Sequence, residues 1–200
     1  MFTGIVQAVG SIARSEPRDG DTRLLIDAGS LDLDDVAIGD SICVSGVCLT
    51  AVGIDGKQFV ADVSVETLAC TTLGALQTAS RVNLEKSLHL TDRLGGHLVS
   101  GHVDGVGRVI SIAADARSQR WCVEVPPELA RYIAAKGSVC IDGVSLTVND
   151  VSGDRFGVNL IPHTIDATTF RDRRAGDVVN LEVDLIARYV ERLRTAGDVA

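Results

Sequence analysis

Positive charge is scarce in this sequence, where 19 lysines and arginines face 27 aspartates and glutamates and leave a net charge of −8. No basic stripe is available to neutralise a phosphate backbone, so nucleic acid is excluded as a partner. Long apolar runs are missing as well, and none approaches the roughly 18 residues that a membrane span needs. The opening Met1-Phe2-Thr3-Gly4-Ile5-Val6 lacks the charged and apolar regions of a secretory signal. A soluble, cytoplasmic protein without membrane partners is the expectation. Cys43, Cys48, Cys70, Cys122 and Cys140 are odd in number and form no C-x-x-C pair, which excludes a zinc-finger arrangement and favours reduced thiols. Of these, Cys43, Cys122 and Cys140 lie in β-branched apolar stretches, where free cysteine behaves as a small buried hydrophobe. His97 and His102 are five apart with no thiol or carboxylate completing a set, so no metal site is expected. Gly101-His102-Val103-Asp104-Gly105-Val106-Gly107 lacks the strand–loop–helix context of a dinucleotide site.

What the chain does have is 46% hydrophobic residues, ample for packed cores, and an internal repeat. Shifting the sequence by 97 positions places Gly4, Val6, Val9 and Gly10 on Gly101, Val103, Val106 and Gly107. Ser41, Cys43, Gly46, Val47, Leu49 and Thr50 fall on Ser138, Cys140, Gly143, Val144, Leu146 and Thr147 without a gap. Phe59, Thr67, Thr71 and Thr72 fall on Phe156, Thr164, Thr168 and Thr169, and Val82-Asn83-Leu84-Glu85 recurs as Val179-Asn180-Leu181-Glu182. About twenty identities in one register establish a tandem duplication.

Each copy reads as short strands rich in Val, Ile and Thr, broken by turns such as Asp55-Gly56 and Ser152-Gly153-Asp154. A unit of under about 100 residues exposes strand edges unless its sheet closes, so the expected fold is all-β: two tandem, homologous, six-stranded Greek-key barrels. Short helices interrupt the strands. Pro126-Pro127 followed by Glu128 to Ile133 suits a helix start, and Leu31 to Val36 is its expected counterpart. From Leu185 to about Arg194, Leu185, Ile186, Tyr189, Val190 and Leu193 recur at helical spacing opposite Arg188, Glu191, Arg192 and Arg194. This amphipathic C-terminal helix has no equivalent after the first copy, so its apolar stripe covers a barrel or meets another subunit.

Two homologous pockets suggest two copies of one ligand, with the repeated polar residues as contacts. Ser45-Gly46-Val47-Cys48-Leu49-Thr50 and Asp142-Gly143-Val144-Ser145-Leu146-Thr147 each place a turn before a strand, with Cys48 and Thr50, or Ser145 and Thr147, on one face. Ordinary strand threonines are the alternative for Thr50 and Thr147. Positions that the copies do not share are the ones able to give two equal ligands unequal roles: Ile5 and His102, Gly39 and Lys136, Cys48 and Ser145, Phe2 and Val99, Ser87 and Asp184. His102 is the candidate proton carrier because imidazole titrates near neutrality, with a solvated loop histidine as the alternative. Lys136 reads as a surface charge. His89 and His163 have no evident partner, and His97 braces the interdomain turn.

Met1-Phe2-Thr3-Gly4-Ile5-Val6, Gly46-Val47-Cys48-Leu49-Thr50, Gly95-Gly96-His97-Leu98-Val99-Ser100-Gly101-His102-Val103-Asp104-Gly105 and Lys136-Gly137-Ser138 through Asp142-Gly143-Val144-Ser145-Leu146-Thr147 together resemble the riboflavin synthase family of the duplicated, α-chain type. The resemblance covers residues 1 to about 190. It implies an N-terminal lumazine-binding barrel at 1–97, a second at 98–184, and an oligomerisation helix and tail at 185–200. The implied reaction is the dismutation of two 6,7-dimethyl-8-ribityllumazine molecules to riboflavin and 5-amino-6-ribitylaminouracil, a four-carbon transfer that needs no cofactor or metal. Implied partners are two ribityllumazines per active site, a homotrimer in which the reacting pair lies between neighbouring subunits, and lumazine synthase as a candidate associate.

By resemblance the first pocket comprises Gly4, Ile5, Val6, Ser41, Cys48, Leu49 and Thr50, with the run Asp62, Val63, Ser64, Val65, Glu66 and Thr67. The second comprises Gly101, His102, Val103, Lys136, Ser145, Leu146 and Thr147, with Asn159, Leu160, Ile161, Pro162, His163, Thr164 and Ile165. Phe2, Ser41, Cys48, His102, Ser145, Thr147 and Asp184 match the family's chemical positions. The chemistry requires a base for a ring methyl proton and hydroxyl or thiol donors near the ring. His102 is expected to carry the proton, Cys48 or Ser41 to activate a nucleophile, and Asp184 to accept a hydrogen bond. The competing reading is a lumazine- or flavin-binding protein of the same fold without catalysis.

Overall fold

The computed structural model describes residues 1–197, and the last three positions of the expected tail lie outside them. The first copy contributes β1 (Ala8–Arg18), β2 (Asp21–Asp27), β3 (Ser41–Val44), β4 (Val47–Thr50), β5 (Gly53–Asp55), β6 (Gln58–Val63) and β7 (Arg81–Lys86). The second contributes β8 (Gly105–Asp115), β9 (Ser118–Glu124), β10 (Ser138–Ile141), β11 (Val144–Ser152), β12 (Arg155–Leu160) and β13 (Val178–Val183). The second set closes into a barrel in the order β10-β11-β12-β9-β8-β13. The first follows the same plan, β4-β3-β7-β1-β2-β6-β5, with one strand divided. β4 and β5 are the two halves of what β11 makes in one piece, and β11 itself shifts register between Val148 and Asp150. Across the break Val52 N–H donates to Val60 O at 2.8 Å, so the ring is continued by a bulge rather than opened.

Alternation along the strands fills each barrel. Ile12, Leu24, Ile26, Phe59, Leu73 and Leu84 form the centre of the first core, and Trp121, Val123, Phe156, Val158, Phe170 and Leu181 that of the second. Leu24 becomes Trp121 and Leu73 becomes Phe170 under the repeat, and the two rings meet tilted by 51° with 5.0 Å between centroids. A larger aromatic pair thus replaces two leucines in a barrel of the same strand plan.

Among the described residues four α-helices accompany the sheets: α1 (Val65–Cys70), α2 (Pro127–Ala130), α3 (Pro162–Ala167) and α4 (Leu185–Gly197). The helix expected from Pro127 to Ile133 lasts one turn, and its expected counterpart at Leu31 to Val36 forms isolated turns instead. Asp32 explains the second failure, since its carboxylate accepts the Asp34 N–H at 3.0 Å and competes with helical pairing. None of the described helices is long and apolar enough to cross a membrane.

The two copies meet about a pseudo-two-fold axis, and the repeated polar residues build that junction. The hairpins β3–β4 and β10–β11 turn through Ser45-Gly46 and Asp142-Gly143, all four residues at positive φ, as two-residue turns of this type require. The turns abut so closely that a Cβ on Gly46 would lie 2.9 Å from Gly143 N, and one on Gly143 2.9 Å from Gly46 N. Asn83 donates to Asp142 O at 2.8 Å and accepts from Thr169 N at 2.8 Å. Asn180 mirrors it, donating to Ser45 O at 2.7 Å and accepting from Thr72 N at 2.7 Å. Phe2 and Val99 exchange backbone hydrogen bonds at 2.7 and 3.1 Å, and with Cys43 and Cys140 they form a buried apolar cluster on the junction. The expectation that repeated polar residues are ligand contacts is therefore corrected for Asn83, Asn180, Thr72 and Thr169. They satisfy buried main chain across the junction, where an unpaired group is costly.

Candidate active site

The two hairpins present equivalent outward faces. In the first, Ser41 pairs with Thr50 and Cys43 with Cys48; in the second, Ser138 pairs with Thr147 and Cys140 with Ser145. One end of each face is closed by the junction cluster, while Thr50 and Thr147 are exposed at the other. Cys48 and Ser145 stand half-buried between, so the sequence reading of two like faces carrying a thiol and a hydroxyl describes the geometry.

The segments leading into each copy cross over. Gly4 O accepts from Ser145 N at 2.7 Å, and Gly101 O accepts from Cys48 N at 2.8 Å. Val6 packs against the second core and Val103 against the first. Gly4, Ile5 and Val6 accordingly belong beside Ser145 and Thr147, and Gly101, His102 and Val103 beside Cys48 and Thr50. The expected grouping of each segment with its own barrel is corrected. Glycine is required at both crossings: φ is 75° and 77° at Gly4 and Gly101, and an added Cβ would lie 2.6 Å from Ser145 Cβ or 2.7 Å from Cys48 Cβ.

Two buried carboxylates hold these segments. Glu85 accepts from Thr3 N at 2.7 Å, Thr3 Oγ1 at 2.6 Å and Gly4 N at 3.0 Å. Glu182 accepts from Ser100 N at 2.7 Å, Ser100 Oγ at 2.6 Å, Gly101 N at 2.9 Å and His102 N at 3.1 Å. Burial pushes the Glu85 carboxyl above its ordinary range, against the pull of the Thr3 and Gly4 donors. The repeat had marked both glutamates, but only folding brings each one opposite a segment about eighty residues earlier.

Sequence alternation sorts the other expected contacts. Leu49, Val63 and Leu160 turn inward and are 5%, 1% and 0% exposed, so only their main chain is available to a ligand. Leu146 and Ile165 pack against the second core from its margin. Asp62, Ser64, Val65, Glu66, Asn159, Ile161 and His163 face outward, with Thr67, Pro162 and Thr164 partly covered. Asp62 is already engaged by Arg23 at 2.6 and 2.7 Å, which holds its carboxyl below the usual range. Ser64 caps α1 through Thr67 N at 3.2 Å. Lys136 is exposed with φ at 68°, where the first copy has Gly39 at 102°.

Of the residues expected to act chemically, Phe2 is not on a ligand face. Its ring is fully buried, because the crossing main chain draws it into the junction cluster, against which Cys48 packs. His102 is exposed, next to Gly101 and the Cys48 face. Asp184 accepts the Ile186 N–H at 2.9 Å at the start of α4, which engages one carboxylate oxygen as a helix cap. Arg188 of α4 donates to His102 O at 3.1 Å and to Asp104 at 2.7 Å, tethering the helix to the segment that bears His102. A cavity of about 480 Å³ lies there, lined by Met1, Ser100, His102, Leu185, Arg188, Tyr189 and Arg192. His97 is the residue that sequence reasoning undervalued: its Nδ1 lies 2.7 Å from Ser145 Oγ. No local spacing signals this contact, since 48 residues separate the two.

The lumazine-binding-domain family model matches the chain twice, over residues 3–87 and 100–184. The chain is 46% identical to a riboflavin synthase of Photobacterium phosphoreum, over 96% of this chain and 88% of that one. It is 47% identical to a riboflavin synthase of Mycobacterium bovis, over 98% of this chain and all of that one. Among solved structures it is similar to LumP complexed with riboflavin, with a TM-score of 0.84 and 28% identity over 92% of this chain and 99% of that one. LumP complexed with 6,7-dimethyl-8-(1'-D-ribityl) lumazine superposes with a TM-score of 0.82 at 27% identity, over the same shares. With two domain matches spanning the crossed faces and near-full-length identity approaching one half, the chain belongs to the lumazine-binding-domain family, among the riboflavin synthases.

Proposed function

We infer that the chain converts two molecules of 6,7-dimethyl-8-ribityllumazine into riboflavin and 5-amino-6-ribitylaminouracil by moving a four-carbon unit from one to the other. The observation that carries this reading is the pair of crossed faces, alike in main chain and unlike in side chain. Gly101 beside Cys48 and Gly4 beside Ser145 make one binding frame twice, whereas Cys48 against Ser145 and His102 against Ile5 differentiate the occupants. A dismutation needs both properties, because identical molecules bind and then react unequally. Holding two rings in register also supplies much of the rate, since effective molarities reach about 10⁵ M or above.

The buried Phe2, Cys43, Val99 and Cys140 cluster stands between the two faces of one chain, which supports a reacting pair formed by faces of neighbouring subunits. The α4 residues Ile186, Tyr189, Val190 and Leu193 are 59–75% exposed. They do not cover a barrel, and this supports their role as the contact of a homotrimer. In this reading His102 carries the methyl proton, Cys48 and Ser41 line the first face, and Asp184 accepts a hydrogen bond through its uncapped oxygen. A cytoplasmic setting agrees with five free thiols, and lumazine synthase is the associate to test. A binder without catalysis is less well supported, with LumP at 27–28% identity against 46–47% for the synthases above.

The test is to add ribityllumazine to the full-length protein in the presence of a chelator and follow flavin fluorescence and lumazine absorbance. One riboflavin formed per two lumazines consumed is expected. Tight lumazine binding without flavin would leave only the binding reading. Truncation before Leu185 should abolish the trimer in sedimentation and collapse turnover while the barrels stay folded; an intact trimer after truncation would refute the role of α4.

A further inference from the structure

His97 is nearly buried, at 9% exposure, and its two nitrogens have different fates. Nδ1 lies 2.7 Å from Ser145 Oγ, while Nε2 is buried and meets no donor or acceptor among the described residues. The backbone that carries the ring is fixed, because the His97 main-chain N–H donates to Thr3 O at 3.1 Å. Gly96 before it sits so close that a Cβ there would fall 2.8 Å from Ser145 Oγ and 2.2 Å from Thr3 O.

A neutral imidazole has one proton to place. Burial favours the neutral form by pushing the ring below its ordinary range, against the opposing carboxylates of Asp184 and Glu182. A buried N–H without an acceptor is rarer and costlier than a buried lone pair without a donor. With Nε2 unpartnered, the cheaper tautomer carries its proton on Nδ1 and donates it to Ser145 Oγ. The serine oxygen has then accepted from the protein, and among the described residues its hydroxyl makes no other hydrogen bond. Its own proton is left for a bound molecule. Cys48, the equivalent on the other face, has no such neighbour among the described residues, and a thiol is a weak donor.

We propose that His97 is a positioning residue of the second face, donating from Nδ1 so that Ser145 Oγ is committed as a hydrogen-bond donor to an electronegative atom of the bound ring. The identity of that ring rests on the function proposed above. A directed hydroxyl at a ring oxygen or nitrogen stabilises the negative charge spread over the heterocycle once its methyl proton is removed. The asymmetry needed between two identical ligands therefore includes a hydrogen-bond direction set from behind the face.

Nitrogen-15 NMR of the labelled full-length protein, with the His97 signals assigned by comparison with His97→Asn, reads the tautomer directly. A proton on Nδ1 that shifts in Ser145→Ala is expected; a proton on Nε2 would overturn the proposal, whatever the activity. In turnover, His97→Leu should lower kcat about tenfold, the worth of one well-placed hydrogen bond, with KM changed less than about threefold. His97→Asn keeps an amide donor near the Nδ1 position and should recover most of that loss. Adding His97→Leu to Ser145→Ala should cost little more than the serine change alone, because the two act through one contact. Full kcat in His97→Leu, no recovery in His97→Asn, or multiplying losses in the double variant would each sink the idea. Absence of flavin in the wild type would defeat the proposed function instead, and the NMR result would still decide the tautomer.

Discussion

Replacing Glu182 by glutamine keeps the shape of the side chain and removes the one property that the crossed segment depends on, four acceptor directions on a charged group. Glu182 is 2% exposed; one oxygen serves Ser100 N and Oγ, the other Gly101 N and His102 N. An amide oxygen can occupy only one of these places. If the NH₂ group takes the Ser100 side, the serine hydroxyl can rotate and accept, but Ser100 N is stranded. If it takes the other, both Gly101 N and His102 N are stranded. The first orientation is cheaper and loses one charge-assisted bond, worth about 1.5–3 kcal/mol, while leaving a buried donor that costs about 1–3 kcal/mol. A neutral amide is easier to bury than a carboxylate, which returns part of this. A net loss of about 3 kcal/mol lowers Tm by roughly 6–12 °C for a chain of this size. Urea denaturation should show a lower midpoint at unchanged slope. Ser100→Ala removes only the hydroxyl bond and should cost about 1 kcal/mol. A Glu182→Gln protein that melts within about 2 °C of wild type, or no lower than Ser100→Ala, would refute the account of the carboxylate as the clamp.

Gly46→Ala puts a Cβ 2.9 Å from Gly143 N at a φ of 86°, so we expect about 2 kcal/mol or more of destabilisation by thermal melting; a neutral result would mean that the junction is not tightly packed. Lys136→Gly relieves a left-handed lysine at an exposed position and should raise Tm by about 2–4 °C, an effect near 1 kcal/mol. An unchanged or lower Tm would show that the lysine side chain contributes to folding. Burial holds folded His97 below its ordinary range, so the unfolded chain takes up its proton first as pH falls. The contribution is present above about pH 6.5 and lost as pH drops through the folded value. Buried Glu85 and Asp142 are raised and act in the opposite sense, so the reading is the comparison with His97→Asn. Between about pH 7 and pH 5 the wild type should lose more stability than that variant in urea melts, and parallel profiles would count against the assignment.

The duplication, the strand-rich units, the turn at Gly46 and Gly143 and the amphipathic helix were all legible along the chain. Each is a local pattern or a comparison of the sequence with itself. So was the mismatch of Cys48 with Ser145, one of the unlike pairs between the two copies. The period of two also decides, without coordinates, that Leu49 must face opposite to Cys48 and Thr50. What the sequence cannot express is which copy a segment serves. Gly4 to Val6 precede β1 and Gly101 to Val103 precede β8, yet hydrogen bonds from Ser145 and Cys48 place each segment on the other barrel. That swap is a property of the pseudo-two-fold axis, and it also turned Asn83, Asn180, Glu85 and Glu182 from expected ligand contacts into clamps. A repeat records that a polar residue is needed twice but not whether its partner is a ligand or the other copy. His97 and Ser145 show the same limit at a single contact. Their meeting at 2.7 Å comes from the close approach of Gly96 to Thr3 and Ser145, three chain segments that only the folded junction brings together.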